Sequence, residues 1–527
     1  MIASPAMAVP ASPSAGPAAR WYVRLRDLTG WRADGTGVLA GAAAALALPP
    51  FFCIPVLLLS FPTLMALIGG AANRRVAFRR GFWFGFGLNV AGLYWITEAI
   101  LLEAARYWWF VPIAVPGLSA LMALFIAAAC AFGKGFLRGL PRLLAFAAAW
   151  TVMDLLRQFL LTGFPWNPLA SIWAIPGLAG DIMLQPVAWI GTPGVTALTV
   201  FLACLPVLRP FAWGVGACAM VVWAALGWMH LSEHPDRASA LNVVLVQGNI
   251  PQGQKFDRRF LRTTWDTYLR LTHEGVEAAH KAMPGDPVVV VWPETASVAL
   301  LADDAAARQS IAEAAEGNPT LIGSVRFGED GRPRNSLIAM DGQGGVQDFY
   351  DKWHLVPGGE FAPGWLPFAV QLVPGGGFVP GPGPRTLDLP GLPPFAPLIC
   401  YEAIFPAQIV NEIQRPAWIV NITNDAWFGQ STGPHQHLAA VRMRAVEEGL
   451  PIMRAANTGI TVGYDAYGHQ VARMNQGQAG FLLVRLPGPL APTFFSRYGL
   501  IVPALLTIML LLAAIICGRH KIRAWPL

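Results

Sequence analysis

Charge is scarce in this chain. Asp, Glu, Lys and Arg make up 13% of its 527 residues, against 54% hydrophobic. That is about half the usual globular share of ~25%, which excludes a chain solvated on every side and assigns much of it to lipid. The scarcity is uneven. Few charges fall between residues 36 and 230, whereas residues 236 to 486 have the mix of a soluble domain large enough for its own core. An extended basic face is also missing, despite a net charge of +6. The cations gather instead at the ends of apolar runs: Arg74, Arg75, Arg79 and Arg80; Lys134, Arg138 and Arg142; Arg519, Lys521 and Arg523. This is the positive-inside pattern, and it argues against nucleic acid as a partner. Residues 1 to 19 lack a basic segment before an apolar core. They read as a disordered Ala/Pro/Ser tail and not as a signal peptide. No phosphate-binding loop occurs, nor a Gly-rich dinucleotide fingerprint after a strand, which removes the chemistries those loops serve.

Cysteine is sparse where it matters. Cys53, Cys130, Cys204, Cys218 and Cys517 sit in apolar runs, and Cys400 stands alone in the soluble stretch without a disulfide partner there.

Eight apolar segments approach the ~20 residues a bilayer demands: 35–48, 51–71, 81–101, 108–132, 143–161, 186–208, 211–229 and 500–517. The first is cut short by Pro49-Pro50. With the N-terminus inside, the basic loops, Arg209 and the C-terminal tail fall in the cytoplasm, and Glu98, Glu103, Arg106 and Asp181 fall outside. The expected organisation is a disordered cytoplasmic tail over 1–34 and seven spans over 35–232. A soluble domain outside the cytoplasm follows over 240–487, then an eighth span over 498–518 and a cytoplasmic tail over 519–527. Residues 162–168, rich in Pro and aromatics, read as an interfacial or re-entrant segment with Trp166 and Trp173 at headgroup level. Asp154 and Arg157, three apart on one helix, are expected simply to pair.

The soluble domain alternates β and α patterns. Strands are expected at 241–247, 288–292, 320–325, 336–340, 395–399, 418–422 and 459–464, and helices at 256–283, 305–316 and 436–448. Continuous apolar strands imply a central sheet covered by helices.

Three side chains in this domain carry candidate chemistry. Cys400 ends the strand Pro397-Leu398-Ile399. Most free cysteines are small buried hydrophobes, but a thiol with a cation and a base nearby is a nucleophile. Glu294 follows four valines, Trp292 and Pro293. It is either a solvated strand end or a desolvated carboxylate whose pKa rises toward that of a usable base. Lys352 lies in Phe349-Tyr350-Asp351-Lys352-Trp353. It either pairs with Asp351 or Asp348, or aims its ammonium at a developing oxyanion. Glu360 could orient Lys352 or be a surface charge, and Glu402 shares a face with Cys400 if the strand continues. His435 and His437 lack a supporting ligand cluster, so no metal is expected.

These residues resemble the nitrilase, or carbon–nitrogen hydrolase, superfamily, matched in order by Glu294, Lys352 and Cys400. From about Gly35 onward the chain is similar to the apolipoprotein N-acyltransferase family. The similarity is carried by Asn73-Arg74-Arg75, Leu161-Thr162-Gly163-Phe164-Pro165-Trp166, Val246-Gln247-Gly248-Asn249-Ile250-Pro251-Gln252, His354-Leu355-Val356-Pro357 and Asn424-Asp425-Ala426-Trp427-Phe428-Gly429. Gly358 and Phe256 stand where members frequently carry an aromatic and a Trp. The resemblance implies an eight-span membrane domain and an α-β-β-α sandwich in the periplasm of a bacterial inner membrane. It implies a phospholipid acyl donor, phosphatidylethanolamine, and a diacylated apolipoprotein acceptor. No cofactor is called for, and the spans favour a monomer. Cys400 would hold the acyl group as a thioester, Glu294 would be base then acid, and Lys352 would meet the oxyanion. Glu360 and Glu402 would be auxiliary, and the Tyr401 amide a further oxyanion donor. Phe256, Trp365, Phe378, Trp427 and Phe428 are expected to touch substrate, with residues 365–384 (including Leu366 and Phe368) as a lid. Two other readings fit the residues alone: a membrane-tethered amidase that passes the thioester to water, and an inactive scaffold or transporter.

Overall fold

The strands bury both faces, and their alternation builds three apolar layers. In the strand Ala238–Gln247 (β1), Val243 and Leu245 face one layer while Val244 and Val246 face another. In Val288–Val291 (β2), Val289 and Val291 join the first layer and Val288 and Val290 the second. This is period two on a strand covered on both sides. The computed structural model describes residues 17–102, 104–208, 210–233, 238–255, 257–362, 364, 377–411 and 413–519. Phe256, Trp365, Leu366, Phe368, Glu103 and Arg209 lie outside the described residues, as does most of the expected lid.

The remaining strands are Thr320–Phe327 (β3), Pro333–Met340 (β4), Val346–Asp351 (β5), Phe395–Ile399 (β6), Trp418–Thr423 (β7), Ile452–Ala456 (β8), Thr461–Tyr464 (β9), Gln470–Met474 (β10) and Gly480–Pro487 (β11). They form two sheets, in the orders β11-β1-β2-β3-β4-β5 and β10-β9-β8-β7-β6. Periodicity alone led to one central sheet; the fold has two, face to face, as the family resemblance implies. Three strands of each sheet run parallel (β1, β2 and β3; β6, β7 and β8), β6 being an edge, and the remaining strands pair antiparallel. Helices Leu261–Ala282 and Ala305–Ala314 cover one outer face, and Gly433–Glu448 covers the other. Side chains of β1, β2, β6, β7 and β8 interlock between the sheets.

The N-terminal region is helical. Among the described residues, five helical segments are long and apolar enough to cross a membrane: Ala104–Lys134, Leu140–Thr162, Val187–Val207, Phe211–Ser232 and Ile501–Arg519. The expected spans at 35–48, 51–71 and 81–101 correspond to the helices Gly30–Ala44, Leu57–Gly70 and Arg74–Leu93. The first two are short, and the third begins with four arginines in seven residues. Of these, Arg80 is buried and donates to Leu67 O and Leu28 O. Helix Pro17–Arg26 occupies part of the segment read as a disordered tail. Asp154 and Arg157 do pair, 3.2 Å apart.

Trp166 and Trp173 do not sit at a headgroup surface. Both are buried. Trp166 Nε1 donates to Gln436 Oε1 at 2.8 Å, and Trp173 Nε1 to Thr199 Oγ1 at 2.8 Å. Residues 162–168 therefore form the junction between the helical region and the sandwich. Their aromatic content serves packing against protein, which composition alone does not distinguish from packing against lipid.

Candidate active site

Three strand ends converge between the sheets. Glu294 follows β2, and Gly323 on β3 makes room for its turn, since a Cβ there would lie 2.1 Å from Pro293 O. Lys352 follows β5, and Cys400 follows β6. Cys400 has φ +51°, a left-handed conformation that costs a non-glycine residue about 1–3 kcal/mol and marks imposed geometry. Strand β6 stops at Ile399, and Cys400–Ile404 form a 3-10 turn. Glu402 is thus not on a continuing strand, as alternation suggested, but on that turn.

Glu294 and Lys352 are joined directly. Lys352 Nζ lies 3.1 Å from Glu294 Oε1 and 2.9 Å from Glu360 Oε1. It pairs with neither Asp351, which Arg326 engages, nor Asp348, which Arg385 engages at 2.9 Å. Glu360 is therefore in contact with Lys352 and not a free surface charge. Asn335 Nδ2 donates to Glu294 Oε1 at 2.7 Å and to Glu360 Oε1 at 3.1 Å, and Asn424 N donates to Glu294 Oε2 at 2.9 Å.

The electrostatics differ from expectation at Glu294. Burial does raise its pKa, as Trp292 and Pro293 suggested, but Lys352, Asn335 and Lys255 more than offset it and hold the carboxyl below its ordinary value. Lys352 is opposed by burial yet held well above its usual value by Glu294 and Glu360. The Cys400 thiol is pushed far up by burial and then by Glu294, with Lys352 pulling the other way. The resting site therefore holds a carboxylate, an ammonium and a neutral thiol.

Glu402 acts as a bracket. Its Oε1 accepts from Tyr350 Oη (3.0 Å), Trp353 N (2.8 Å) and His354 N (3.3 Å), and its Oε2 from Ile399 N (2.7 Å). It ties the segment after Lys352 to the strand end before Cys400. Burial pushes its carboxyl up to about 7 against these donors.

A second buried network braces the backbone of Cys400. His437 Nε2 lies 3.0 Å from Cys400 O, and its Nδ1 lies 3.0 Å from Asp425 Oδ1. Arg454 Nη2 donates to Asp425 Oδ2 at 2.6 Å. Ligand-type atoms of Cys400, Asp425 and His437 lie within 4.8 Å of one another. The His and Asp atoms already serve each other, Arg454 and Cys400 O, so the cluster reads as an ion-pair brace and not an open ligand set.

The turn that carries Cys400 also meets the helical region. Tyr401 Oη donates to Gly163 O at 2.7 Å, Gln158 Nε2 to Pro406 O at 2.9 Å, and His354 Nε2 to Thr162 O at 3.0 Å. Phe428 packs on Trp95, Trp166 and His437, and Trp427 is partly exposed beside it. Phe378 is anchored where its N donates to Glu360 O at 2.8 Å.

Sequence reasoning missed Asn335, Lys255 and Arg454. Asn335 is one polar residue within a strand, and Lys255 is a lone cation in Gln252-Gly253-Gln254-Lys255. A single lysine in a Gly/Gln loop was the available signal. Gly358 has φ +78°, a backbone that an aromatic residue adopts only with strain; this accounts for the glycine there.

Residues 243–487, which hold the two-sheet fold, match the carbon–nitrogen hydrolase family. Residues 40–205 match the apolipoprotein N-acyltransferase N-terminal domain. An apolipoprotein N-acyltransferase of Rhodopseudomonas palustris is 37% identical over 519 residues, covering 93% of this chain and 96% of that protein. Those of Bradyrhizobium diazoefficiens (38%, 95% and 99%) and Brucella melitensis (37%, 94% and 98%) are similar to the same extent. The chain belongs to the apolipoprotein N-acyltransferase family, and it is an acyltransferase.

Proposed function

We propose that the chain moves a fatty acyl group from a phospholipid, through a thioester on Cys400, to the N-terminal amine of a diacylglyceryl-cysteine lipoprotein. The observation that carries this is the pair Glu294 and Lys352, hydrogen-bonded to each other and held by Asn335 and Glu360, with both members of the pair acting electrostatically on the buried thiol of Cys400.

In the first half-reaction, sulfur attacks the sn-1 ester carbonyl of phosphatidylethanolamine. Its proton passes to Glu294, and the carbonyl oxygen becomes an oxyanion that Lys352 and the Tyr401 amide stabilise. Glu294 starts as a weak base because Lys352 sits on it. A forming oxyanion draws that ammonium away, so Glu294 gains basicity as the thiol must lose its proton. Collapse expels the lysophospholipid oxygen, which takes the proton from Glu294. In the second half, the lipoprotein amine attacks the thioester, its proton goes to Glu294, and the departing sulfur recovers it.

Both substrates carry acyl chains, so a membrane anchor replaces a three-dimensional search with lateral diffusion. Eight spans, a periplasmic sandwich over 240–487 and a monomeric state in the inner membrane complete the reading. One contact supports that topology. Asp181, on the side assigned outside by charge, pairs with Arg442 of the sandwich. Phe378, Trp427 and Phe428 would border the acyl path, being partly exposed near Glu360 and the Cys400 turn.

The test is intact-protein mass spectrometry after incubation with phosphatidylethanolamine, with and without a diacylated lipopeptide. The wild type gains one acyl mass on Cys400 and passes it to the peptide amine. Cys400→Ala gains none. N-acylation persisting in Cys400→Ala overturns the mechanism.

A further inference from the structure

We propose that Lys255 is a positioning residue for acyl transfer, clamping the turn that carries Glu294 and supplying the site's second buried positive charge. This rests on the roles given above to Cys400 and Glu294.

Lys255 is 2% exposed, among the largest fully interior polar side chains of the molecule. Its Nζ donates to Glu294 O at 2.9 Å and to Thr295 Oγ1 at 2.6 Å. Thr295 has φ +46°, a conformation a β-branched residue rarely adopts without being held. The clamp therefore closes on a strained turn directly after the carboxylate it serves. The backbone of β3 also comes close to the same turn at Gly323. Lys255 and β3 thus both hold the backbone that carries Glu294, while Lys352, Asn335 and Asn424 N hold its oxygens.

Charge balance gives the second role. Two carboxylates, Glu294 and Glu360, contact Lys352. With Lys255 charged, the set is neutral; without it, one negative charge is in excess beside the thiol. Burial draws Lys255 down to about 8, while Glu294 and then Cys400 push it back up. Among the described residues these two, from the β2 and β6 ends, are the titratable groups that act on it; Lys352 and Glu360 stand behind Glu294. Above that pH the ammonium is lost, the Cys400 proton becomes harder to remove, and thioester formation slows.

The experiment is single-turnover acyl-Cys400 formation by the full-length protein in phosphatidylethanolamine mixed micelles, from about pH 6 to 10. The wild type should show a basic limb near pH 8. Lys255→Arg keeps its charge throughout and should lose that limb. Lys255→Met should lose the limb and fall about tenfold or more at pH 7, with apparent KM for phospholipid held within about twofold. A limb near pH 8 that persists in the Arg variant, or a Met variant as fast as wild type at pH 7, overturns the inference. If the Met variant does not fold, the Arg profile decides alone. A wild type that forms no acyl-Cys400 at any pH refutes the proposed function instead, so the two failures are distinct.

Discussion

Replacing Glu402 by Gln tests whether this carboxylate is a bracket or a proton donor. Both its oxygens are acceptors in the fold: one faces three donors from Tyr350, Trp353 and His354, and the other faces Ile399 N. Glutamine has one carbonyl oxygen and one NH2. If the oxygen keeps the three donors, the NH2 points at Ile399 N–H. If it keeps Ile399, the NH2 points at Trp353 and His354. Either way at least one backbone N–H and one amide donor are left unsatisfied in a residue that is 1% exposed. At about 1–3 kcal/mol for each orphaned group, the loss is about 2–6 kcal/mol. For a domain of this size each kcal/mol moves Tm by about 2–4 °C, so a fall of roughly 4 °C or more is expected. Thermal unfolding in detergent micelles, read by tryptophan fluorescence, measures it. The pH dependence has a fixed sign. Glu402 sits at about 7 in the fold, above the ~4.3 of a free glutamate. Its share of stability is therefore present at pH 4 and lost as pH rises through about 7, and Glu402→Gln should flatten that slope. A variant with wild-type Tm but slow acyl transfer would refute the bracket and leave a proton-transfer role.

Arg454→Met leaves Asp425 buried and facing only His437 and Thr423, and should cost about 3–5 kcal/mol, seen as a lowered Tm. Burial raises the Asp425 pKa, but Arg454 and His437 more than reverse this and hold it far below the usual carboxylate range. Its stabilisation is thus present above ~pH 4 and lost as pH falls further; the variant should lose that acid sensitivity, and an unchanged acid-unfolding curve would refute the account. Tyr401→Phe removes the donor to Gly163 O, leaving a buried carbonyl unpaired at about 1–3 kcal/mol. Limited proteolysis across the junction should accelerate accordingly, and unchanged cleavage rates would argue that this bond does not hold the two regions together.

Glu294 and Cys400 stood out in the sequence because each follows an apolar strand run, and Lys352 because it is a single cation in the aromatic stretch Phe349-Tyr350-Asp351-Lys352-Trp353. Their partners did not, for a physical reason. Asn335 is remote in sequence from Glu294 and adjoins it only through the β2-β3-β4 pairing, and Arg454 meets Asp425 only once β7 and β8 align. The sign of the Glu294 shift was missed for the same cause: its flanking Trp and Pro are local, whereas the cations that reverse burial's effect come from other strands and loops. Strands β5 and β10 carry polar, half-exposed residues and lack the apolar alternation that marks β1 and β2. Trp166 misled because an aromatic near Pro and Gly has the same composition whether it meets lipid headgroups or a glutamine of another domain.

The Cys400 turn belongs to two cores at once. Cys400 packs with the side chains between the sheets, while Tyr401, Ile404 and Phe405 pack into the apolar cluster of the helical region. Phe405 stacks on His354 with ring centres 3.6 Å apart, so the segment following Lys352 is pressed against the same junction. Water is the competitor of any acceptor for a thioester, and excluding it requires apolar surface on every side of the sulfur. Tyr401, Ile404 and Phe405, close to Cys400 along the chain, are buried at that junction. Loosening the junction would therefore admit water and also release the left-handed Cys400 backbone from the contacts that hold it. On the proposed mechanism, fidelity of transfer and geometry of attack share one cause, and a lesion at Gly163 or Trp166, far from the chemistry in sequence, acts on both.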